Sequence, residues 1–224
     1  MFEWPSATPI NMDRYPRQRM YELFKGFEIP VTTRTIQLDI TALWSYVKDN
    51  QYRFTPVLGF ILTRAVNHVP ELRHRILNEQ LVEYNKVVPS YVVLSEDKQV
   101  FFSMGVFTDV FLNDYHENVA INAAAANGLE KNLGSENLGL IYITNNPWVT
   151  FTSLQFPYAS PFASVPAFGI GKVYEDGNRV KAPFAIQNHH GLTDGYHIGH
   201  FIDIVSRHLQ DPTLIDMPFV SKFK

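Results

Sequence analysis

The fold of this chain turns on one octapeptide, Asn188-His189-His190-Gly191-Leu192-Thr193-Asp194-Gly195. Apolar residues alternate before it, which predicts a strand over about 179–188. After it they recur every three to four residues, which predicts an amphipathic helix carrying Ile198, Phe201, Ile202, Val205 and Leu209. The two histidines therefore lie between a strand and a helix, where rigid elements on both sides often hold reactive groups.

The strand that leads to the histidines belongs to a predicted hairpin. Asp176-Gly177 separates two alternating apolar runs, which is a strong hairpin signal, so we expect strands at about 166–175 and 179–188. The second strand delivers His189 and His190 at its end. Histidine is the one side chain whose unperturbed pKa lies near neutrality, and Asp194 can reach back over one turn to brace the loop.

The two histidines need not be catalytic. A histidine pair is more often a packed or solvated detail than a catalyst. His190, Asp194, His197 and His200 could also bind a metal on one helical face. The zinc-protease signature His-Glu-x-x-His is absent, however, and no cysteine is available to complete a structural zinc site. The sequence therefore favours an acid or base role without a metal.

The composition narrows the class of protein. The chain has 224 residues, 46% of them apolar, enough for one domain over 1–224 with residues 1–12 as an N-terminal arm. A net charge of −3 indicates no nucleic-acid partner, and the lack of cysteine excludes disulfides and thiol nucleophiles. The start is no signal peptide, and no apolar run approaches the ~20 residues of a membrane span. A cytoplasmic protein without a membrane partner is expected.

Helical and strand patterns mix along the chain without strict β-α-β alternation. Helices are expected over 14–24, 41–50 and 108–131, and another is expected to begin at Pro56 and to be stopped by Pro70. Strands are expected over 29–40, 140–144 and 149–156, with short antiparallel strands over 72–103 that turn at Asn78 and Asp97-Lys98. The pattern predicts an α+β fold, a two-layer sandwich with helices packed on a mixed, largely antiparallel sheet.

Several familiar catalytic motifs are missing. The sequence contains no Gly-x-Ser-x-Gly elbow, no Walker A loop and no Gly-x-Gly-x-x-Gly fingerprint. Without a credible serine or cysteine nucleophile, His190 is better assigned as a general base that acts directly on a substrate. The aromatic content of 14% fits a Phe-rich core, an apolar ligand pocket or a subunit interface.

Two segments resemble one enzyme family. The run from His189 to Phe201 resembles the His-His-x-x-x-Asp-Gly-Phe-His region of chloramphenicol acetyltransferases. The run from Asn146 to Ser153 is similar to their Pro-Trp-Val-x-Phe-x-Ser segment. Shorter matches at 37–41, 52–56 and 70–73 lie earlier in the chain, and all the matching segments occur in the same order as in the family. The resemblance therefore spans about residues 13 to 209.

The resemblance implies an acetyl-CoA-dependent O-acetyltransferase that acts on a hydroxyl of chloramphenicol or a similar small molecule. In this family the second histidine is the general base, which maps to His190. Thr144 takes the place of the usual serine whose hydroxyl steadies the oxyanion. Asp194 would pair with Arg17 to fix the loop, and His189 would support it.

The resemblance also implies partners. Trp148, Lys172 and Tyr174 are predicted for the CoA channel, and no metal is required. Members of the family are trimers with the active site between subunits, so a homotrimer is predicted.

The chain departs from the family in places that concern the acceptor. Gly169 stands where the family often has a threonine that helps to order the transition state. The segments 128–139 and 157–165 do not match. These differences leave the acyl-transfer residues intact and leave the identity of the acceptor open.

Two other functions remain open at this stage. One is another CoA acyltransferase, including the dihydrolipoamide type, which the lack of a lipoyl or peripheral-binding segment argues against. The other is a non-catalytic, ligand-binding relative. The retention of His190, Asp194 and Thr144 argues against that second alternative.

Overall fold

The structure of the protein, a computed structural model, describes residues 5–94, 101–105, 112, 115, 138–157, 159 and 162–217. The predicted turn at Asp97-Lys98 lies outside the described residues. So does the predicted helix over 108–131, apart from Leu112 and Tyr115, and most of the divergent segment 128–139.

The helices of the described residues follow the predicted apolar spacing. They are α1 (Gln18–Lys25), α2 (Thr41–Asp49), α3 (Phe54–His68) and α4 (Gly195–Gln210), with 3-10 turns at Met12–Arg14, Pro70–Arg73 and Pro212–Leu214. Helix α3 ends just before Pro70, as expected from the clash of a proline ring with the preceding helical turn. Within the described part of the chain, no helix has the length and apolarity to span a bilayer.

The strands of the described residues form two sheets. They are β1 (Ala7–Pro9), β2 (Val31–Asp39), β3 (His74–Leu77), β4 (Gln80–Tyr84), β5 (Val88–Leu94), β6 (Phe101–Gly105), β7 (Leu140–Asn146), β8 (Ala167–Gly171), β9 (Tyr174–Asp176) and β10 (Arg179–His189). The larger sheet has the order β2-β10-β8-β7-β5-β6, with β9 beside β10, and the smaller has the order β1-β4-β3. Among the strands of the described residues, only the pairs β7–β8 and β5–β7 are parallel. The predicted α+β fold with a mixed, largely antiparallel sheet is confirmed.

The two faces of the larger sheet differ. Phe168 and Phe184 stack on each other beneath Phe201 of α4 and belong to the main core. Residues that alternate with them point to the opposite face, because side chains along a strand change sides at every residue. Thr144 and Gly169, which are in register on β7 and β8, lie on this second face.

The predicted strand over 149–156 is wrong. This segment has no regular structure and lies across the second face of the larger sheet. The Phe156 amide donates to the side-chain oxygen of Gln187 on β10 rather than to the backbone of a strand. A Cβ added to Gly169 would lie 2.4 Å from Leu154 Cδ2, so the absence of a side chain at Gly169 permits this close approach. The apolar alternation that suggested a strand reflects this packing.

The first strand of the predicted hairpin, expected at about 166–175, is two strands in the structure, β8 and β9. Two pairs, Lys181 with Tyr174 and Phe184 with Ile170, bound the gap: β10 has two residues between them, and the partner segment has three. The extra residue is a bulge, which interrupts the ladder. The predicted turn itself is confirmed, since β9 and β10 pair across Gly177, which has a φ of 62°.

Candidate active site

His190 follows the last residue of β10 and is held by its surroundings. Its amide donates to the carbonyl of Pro30 over 2.8 Å. Its ring lies against the ring of Phe24, with centroids 4.3 Å apart and planes 30° apart. The buried Nδ1 has no hydrogen-bond partner among the described residues. Backbone bonding and ring packing therefore position the imidazole, and no described residue binds its Nδ1.

His189 has a different environment. Its side chain is buried, and its Nδ1 accepts a hydrogen bond from the Gly191 amide over 3.1 Å. Burial, together with the charge of His190, lowers the pKa of His189 to about 4. His189 is therefore neutral at pH 7 and stabilises the turn.

Arg17 ties the loop to the start of α1. Its Nη1 lies 2.6 Å from Asp194 Oδ2, and its Nη2 donates to the His190 carbonyl over 3.4 Å. Burial of Asp194 opposes ionisation, but the hydrogen bond and charge of Arg17 hold the pKa of this carboxyl well below its usual range. One guanidinium thus contacts both ends of the segment 190–194.

Asp194 also caps α4, a role that the sequence analysis missed. Its Oδ1 accepts a hydrogen bond from the Tyr196 amide over 2.9 Å, and its own amide approaches the side chain of His197. An aspartate directly before a helical apolar pattern is a common cap and could have indicated this role.

A second tie, also missed, comes from Asn188. Its Nδ2 donates to the carbonyl and hydroxyl of Thr193, and its Oδ1 accepts from Arg34 over 3.1 Å. Asn188 is 1% exposed. A buried asparagine needs partners for its amide, so this residue fixes the loop from the β2 side.

The brace formed by Arg17 and Asp194 should be measurable as a coupling. We expect Asp194→Asn and Arg17→Ala each to lower the free energy of unfolding by roughly 1.5–3 kcal/mol, the range for hydrogen bonds to charged groups. The side chain of Asp194 is 34% exposed, so the loss should be smaller than the ~3–5 kcal/mol of a fully buried pair. Urea unfolding of the single and double variants would test this, and additive losses would show that the pair contributes nothing.

The same brace predicts a pH dependence. The pKa of Asp194 is lower in the folded than in the unfolded protein, so its contribution is complete above the unfolded pKa of about 4. It is lost as the pH falls through the folded pKa, and the difference between wild type and Asp194→Asn should therefore shrink in acid. Arg179→Ala is the control, because its pair with Asp39 is exposed and should contribute about 0–1 kcal/mol.

Thr144 lies far from His190 in the same chain. Strand β7 runs antiparallel to β10, and Thr144 is in register with Gly169 and, through it, with Ala185. His189 is four residues further along β10, about 13 Å, and two strand spacings add about 10 Å sideways. The Cα atoms of Thr144 and His189 are therefore roughly 16 Å apart, and one chain does not bring the two predicted catalytic residues together.

Thr144 instead lines a cavity of about 420 Å³ on the second face of the sheet. Phe156 and Phe162 contribute apolar walls, and Gln187 contributes an amide. The cavity therefore combines apolar surface with a few polar groups, which is typical of small-molecule sites.

A larger cavity of about 760 Å³ lies at the Thr144 end of the sheet. Lys172 and Tyr174 line it, together with Lys48 and Arg53, which the sequence analysis did not single out. Three cations and one carboxylate thus border this space. Trp148 does not line it, and its side chain is 68% exposed.

The four residues considered as metal ligands do not converge. His197 contacts Asp194, whereas the His200 ring lies against His68 with centroids 6.1 Å apart. Within the part of the chain that the structure describes, no three histidine or carboxylate side chains are grouped to hold a metal ion.

Comparison with known proteins identifies the family of this arrangement. The family model described as chloramphenicol acetyltransferase matches residues 6–206. The chain belongs to the chloramphenicol acetyltransferase family. It is 32% identical to the chloramphenicol acetyltransferase of Proteus mirabilis over 209 residues, which cover 90% of this chain and 94% of the relative. It is therefore an acyltransferase.

Solved structures agree on the fold of this chloramphenicol acetyltransferase family member. A chloramphenicol acetyltransferase superposes with a TM-score of 0.80 at 20% identity, covering 91% of this chain and all of the other. The truncated catalytic core of the 2-oxoacid dehydrogenase multienzyme complex from Thermoplasma acidophilum gives a TM-score of 0.67 at 16% identity, covering 92% and 99%. The fold is thus shared beyond the family.

Proposed function

We propose that this protein moves an acetyl group from acetyl-CoA to a hydroxyl of chloramphenicol or a similar small acceptor. The observation that carries the proposal is the braced His190, held by Phe24 and Pro30 with Arg17 and Asp194 behind the loop. Its imidazole takes the hydroxyl proton while the acceptor oxygen attacks the thioester carbonyl. The new C–O bond replaces the C–S bond, and the proton passes to the departing CoA thiolate. General base catalysis of this kind contributes roughly 10²–10⁴ in rate.

Thr144 is proposed as the donor to the tetrahedral oxyanion. Its side chain lines the cavity on the second face, beside the apolar walls of Phe156 and Phe162. A hydroxyl in such an apolar setting stabilises developing negative charge more strongly than it would in water. Loss of one such donor costs about 2.7–4 kcal/mol of transition-state stabilisation.

The larger cavity is the proposed site for acetyl-CoA. Lys48, Arg53 and Lys172 offer positive charge that suits the phosphates of CoA. Asn145 lines this cavity and its neighbour Thr144 lines the other, while Val92 lines both. A pantetheine arm that follows this border would carry the thioester toward Thr144. Because acetyl-CoA is an intracellular metabolite, we place the reaction in the cytoplasm.

The complete site is proposed to form between two copies of the chain. His190 and Thr144 lie at opposite ends of the sheet. They can therefore serve the same acetyl transfer only if they come from different subunits. At the His190 end, Leu23, Phe27 and Ile29 are each more than half exposed. Exposed apolar clusters of this kind mark surfaces that a partner covers. The resemblance to the family extends this arrangement to a homotrimer.

The acceptor is tested by a thiol-release assay with acetyl-CoA and chloramphenicol. We expect transfer with a raised KM and a less affected kcat, because His190 and Thr144 are retained while segments 128–139 and 157–165 differ from the family. A pocket that binds the acceptor more weakly, and by the same amount in the ground state and the transition state, raises KM and leaves kcat nearly unchanged. Dihydrolipoamide and other alcohols serve as comparison acceptors. A micromolar KM with high kcat would contradict the expected weak binding, and transfer only to another acceptor would remove chloramphenicol from the proposal.

A further inference from the structure

His197 lies between two carboxylates at the start of α4. Its Nδ1 is 2.9 Å from Asp194 Oδ1, and its Nε2 is 3.6 Å from Glu71 Oε1. The His197 side chain is buried, and Glu71 belongs to the 3-10 turn that follows α3. One imidazole therefore joins the end of α3 to the brace behind the catalytic loop.

The contact distances indicate how the ring is protonated. Nδ1 bears either a proton or a lone pair, so it either donates to Asp194 Oδ1 or accepts from the Asp194 amide, which is 3.3 Å away. The shorter contact, to a carboxylate oxygen, requires the proton on Nδ1. The distance from Nε2 to Glu71 is too long for a hydrogen bond, so Glu71 acts through its charge.

These contacts fix the orientation of Asp194. Its Oδ1 is occupied by His197 and the Tyr196 amide, which leaves Oδ2 directed at Arg17. Arg17 in turn donates to the His190 carbonyl. Without His197, Oδ1 would keep only the Tyr196 amide. The carboxylate would then be held less firmly against a rotation that weakens its contact with Arg17 and the support of the His190 carbonyl.

We propose that His197 and Glu71 are positioning residues of acetyl transfer, acting on His190 through Asp194 and Arg17. The inference rests on the proposed function, because it assigns them to the same reaction. Misplacement of a catalytic group by about 1 Å can cost about 10²-fold in rate, so a partial loosening should cost about tenfold. Neither positioning residue lines the proposed acetyl-CoA cavity, so the KM for acetyl-CoA should not change.

Two substitutions of His197 separate positioning from a merely structural role. His197→Ala should lower kcat about tenfold, and His197→Asn should restore most of it, because an asparagine amide can donate to Asp194 Oδ1 near the place of Nδ1. Asparagine is a poorer helix former than alanine by roughly half a kcal/mol. A role in helix stability alone therefore predicts the opposite order, and that order would overturn the proposal.

Glu71 and a control complete the experiment. Glu71→Gln keeps the shape and removes the charge, so kcat should fall as it does in Glu71→Ala. His208 is the matched control, since it is buried on the same helix and donates from Nδ1 to the Ile204 carbonyl over 2.8 Å. His208→Ala should lower the melting temperature and leave kcat unchanged. A kcat within twofold of wild type in His197→Ala and both Glu71 variants would overturn the proposal.

The outcome remains decisive even if no acceptor is found. The NMR resonances of the His190 ring report its surroundings without turnover. The His197 and Glu71 variants should shift these resonances, and His208→Ala should not. An inactive wild type with these shifts would refute the proposed function and keep the structural link, whereas an unshifted His190 would refute the link itself.

Discussion

His190→Ala is expected to reduce acetyl transfer by roughly 10²–10⁴, the contribution of a positioned general base. The Kd for acetyl-CoA should remain within error of the wild-type value, because Lys48, Arg53 and Lys172 supply the charge that binds it, whereas His190 acts on the acceptor hydroxyl. Thiol release measures the first quantity and calorimetric titration the second. His68→Ala is the control, because it removes a histidine from the exposed end of α3.

The same variant tests whether the site is shared between copies. Thr144→Ala should also be nearly inactive, since it removes the proposed oxyanion donor. When His190→Ala and Thr144→Ala chains are assembled together at random, about one site in four receives His190 and Thr144 from intact partners. Activity should then recover to about a quarter of the wild-type value. A mixture as inactive as its components would contradict a site built from two copies.

Local signals in the sequence predicted the elements that carry the loop. Asp176-Gly177 predicted the hairpin because a tight turn needs a positive φ, and Gly177 adopts one. The three-to-four spacing after Gly195 predicted α4, whose residues Ile198 and Phe201 are buried as expected. Both predictions depend on neighbours along the chain, which a sequence displays directly.

The segment 149–156 shows where such signals fail. Alternating apolar residues report that one face is buried, not that the backbone pairs with another strand. Strands β7 and β8 are parallel, so the chain that joins them must run back to the end of the sheet where β7 begins before β8 can pair with it. Here it returns across the second face, with Leu154 packed over Gly169.

The residues of the candidate site also differ in whether a local pattern in the sequence reveals them. His190 and Asp194 stand out from one short motif, but Arg17 is 177 residues away from Asp194 and was assigned only through the family resemblance. The roles of Asn188 and His197 depend on Arg34 and Glu71, which the fold brings from other elements. Long-range partners of this kind leave no local pattern.

Arg75→Met should cause the largest loss of stability among the substitutions considered. Arg75 is fully buried and its hydrogen-bond partners are carbonyl oxygens: Nε donates to Leu138, Nη1 to Leu72 and His74, and Nη2 to Leu140, over 2.7–2.9 Å. Burial lowers the pKa of Arg75 to about 9, so the group remains charged at pH 7. One guanidinium thus connects β3 of the smaller sheet to the start of β7 in the larger.

The size of the loss follows from these four bonds. A hydrogen bond to a charged group contributes about 1.5–3 kcal/mol, and contributions that share one residue do not add fully. Methionine keeps the apolar stem but removes the donor that Arg75 supplies to these carbonyls. We expect the free energy of unfolding to fall by roughly 3–5 kcal/mol, measured by urea denaturation.

Arg73→Met is the matched comparison. Arg73 lies two residues earlier and donates to the carbonyls of Tyr84 and Asn85. It also pairs with Glu83, whose side chain is 39% exposed, so water can replace part of what is lost. We expect a smaller loss, of about 1 kcal/mol. Removing a buried charge also removes its desolvation penalty, which opposes the loss of the carbonyl bonds at Arg75. If Arg75→Met costs no more than Arg73→Met, that penalty balances the four bonds, and the connection between the sheets contributes no net stability.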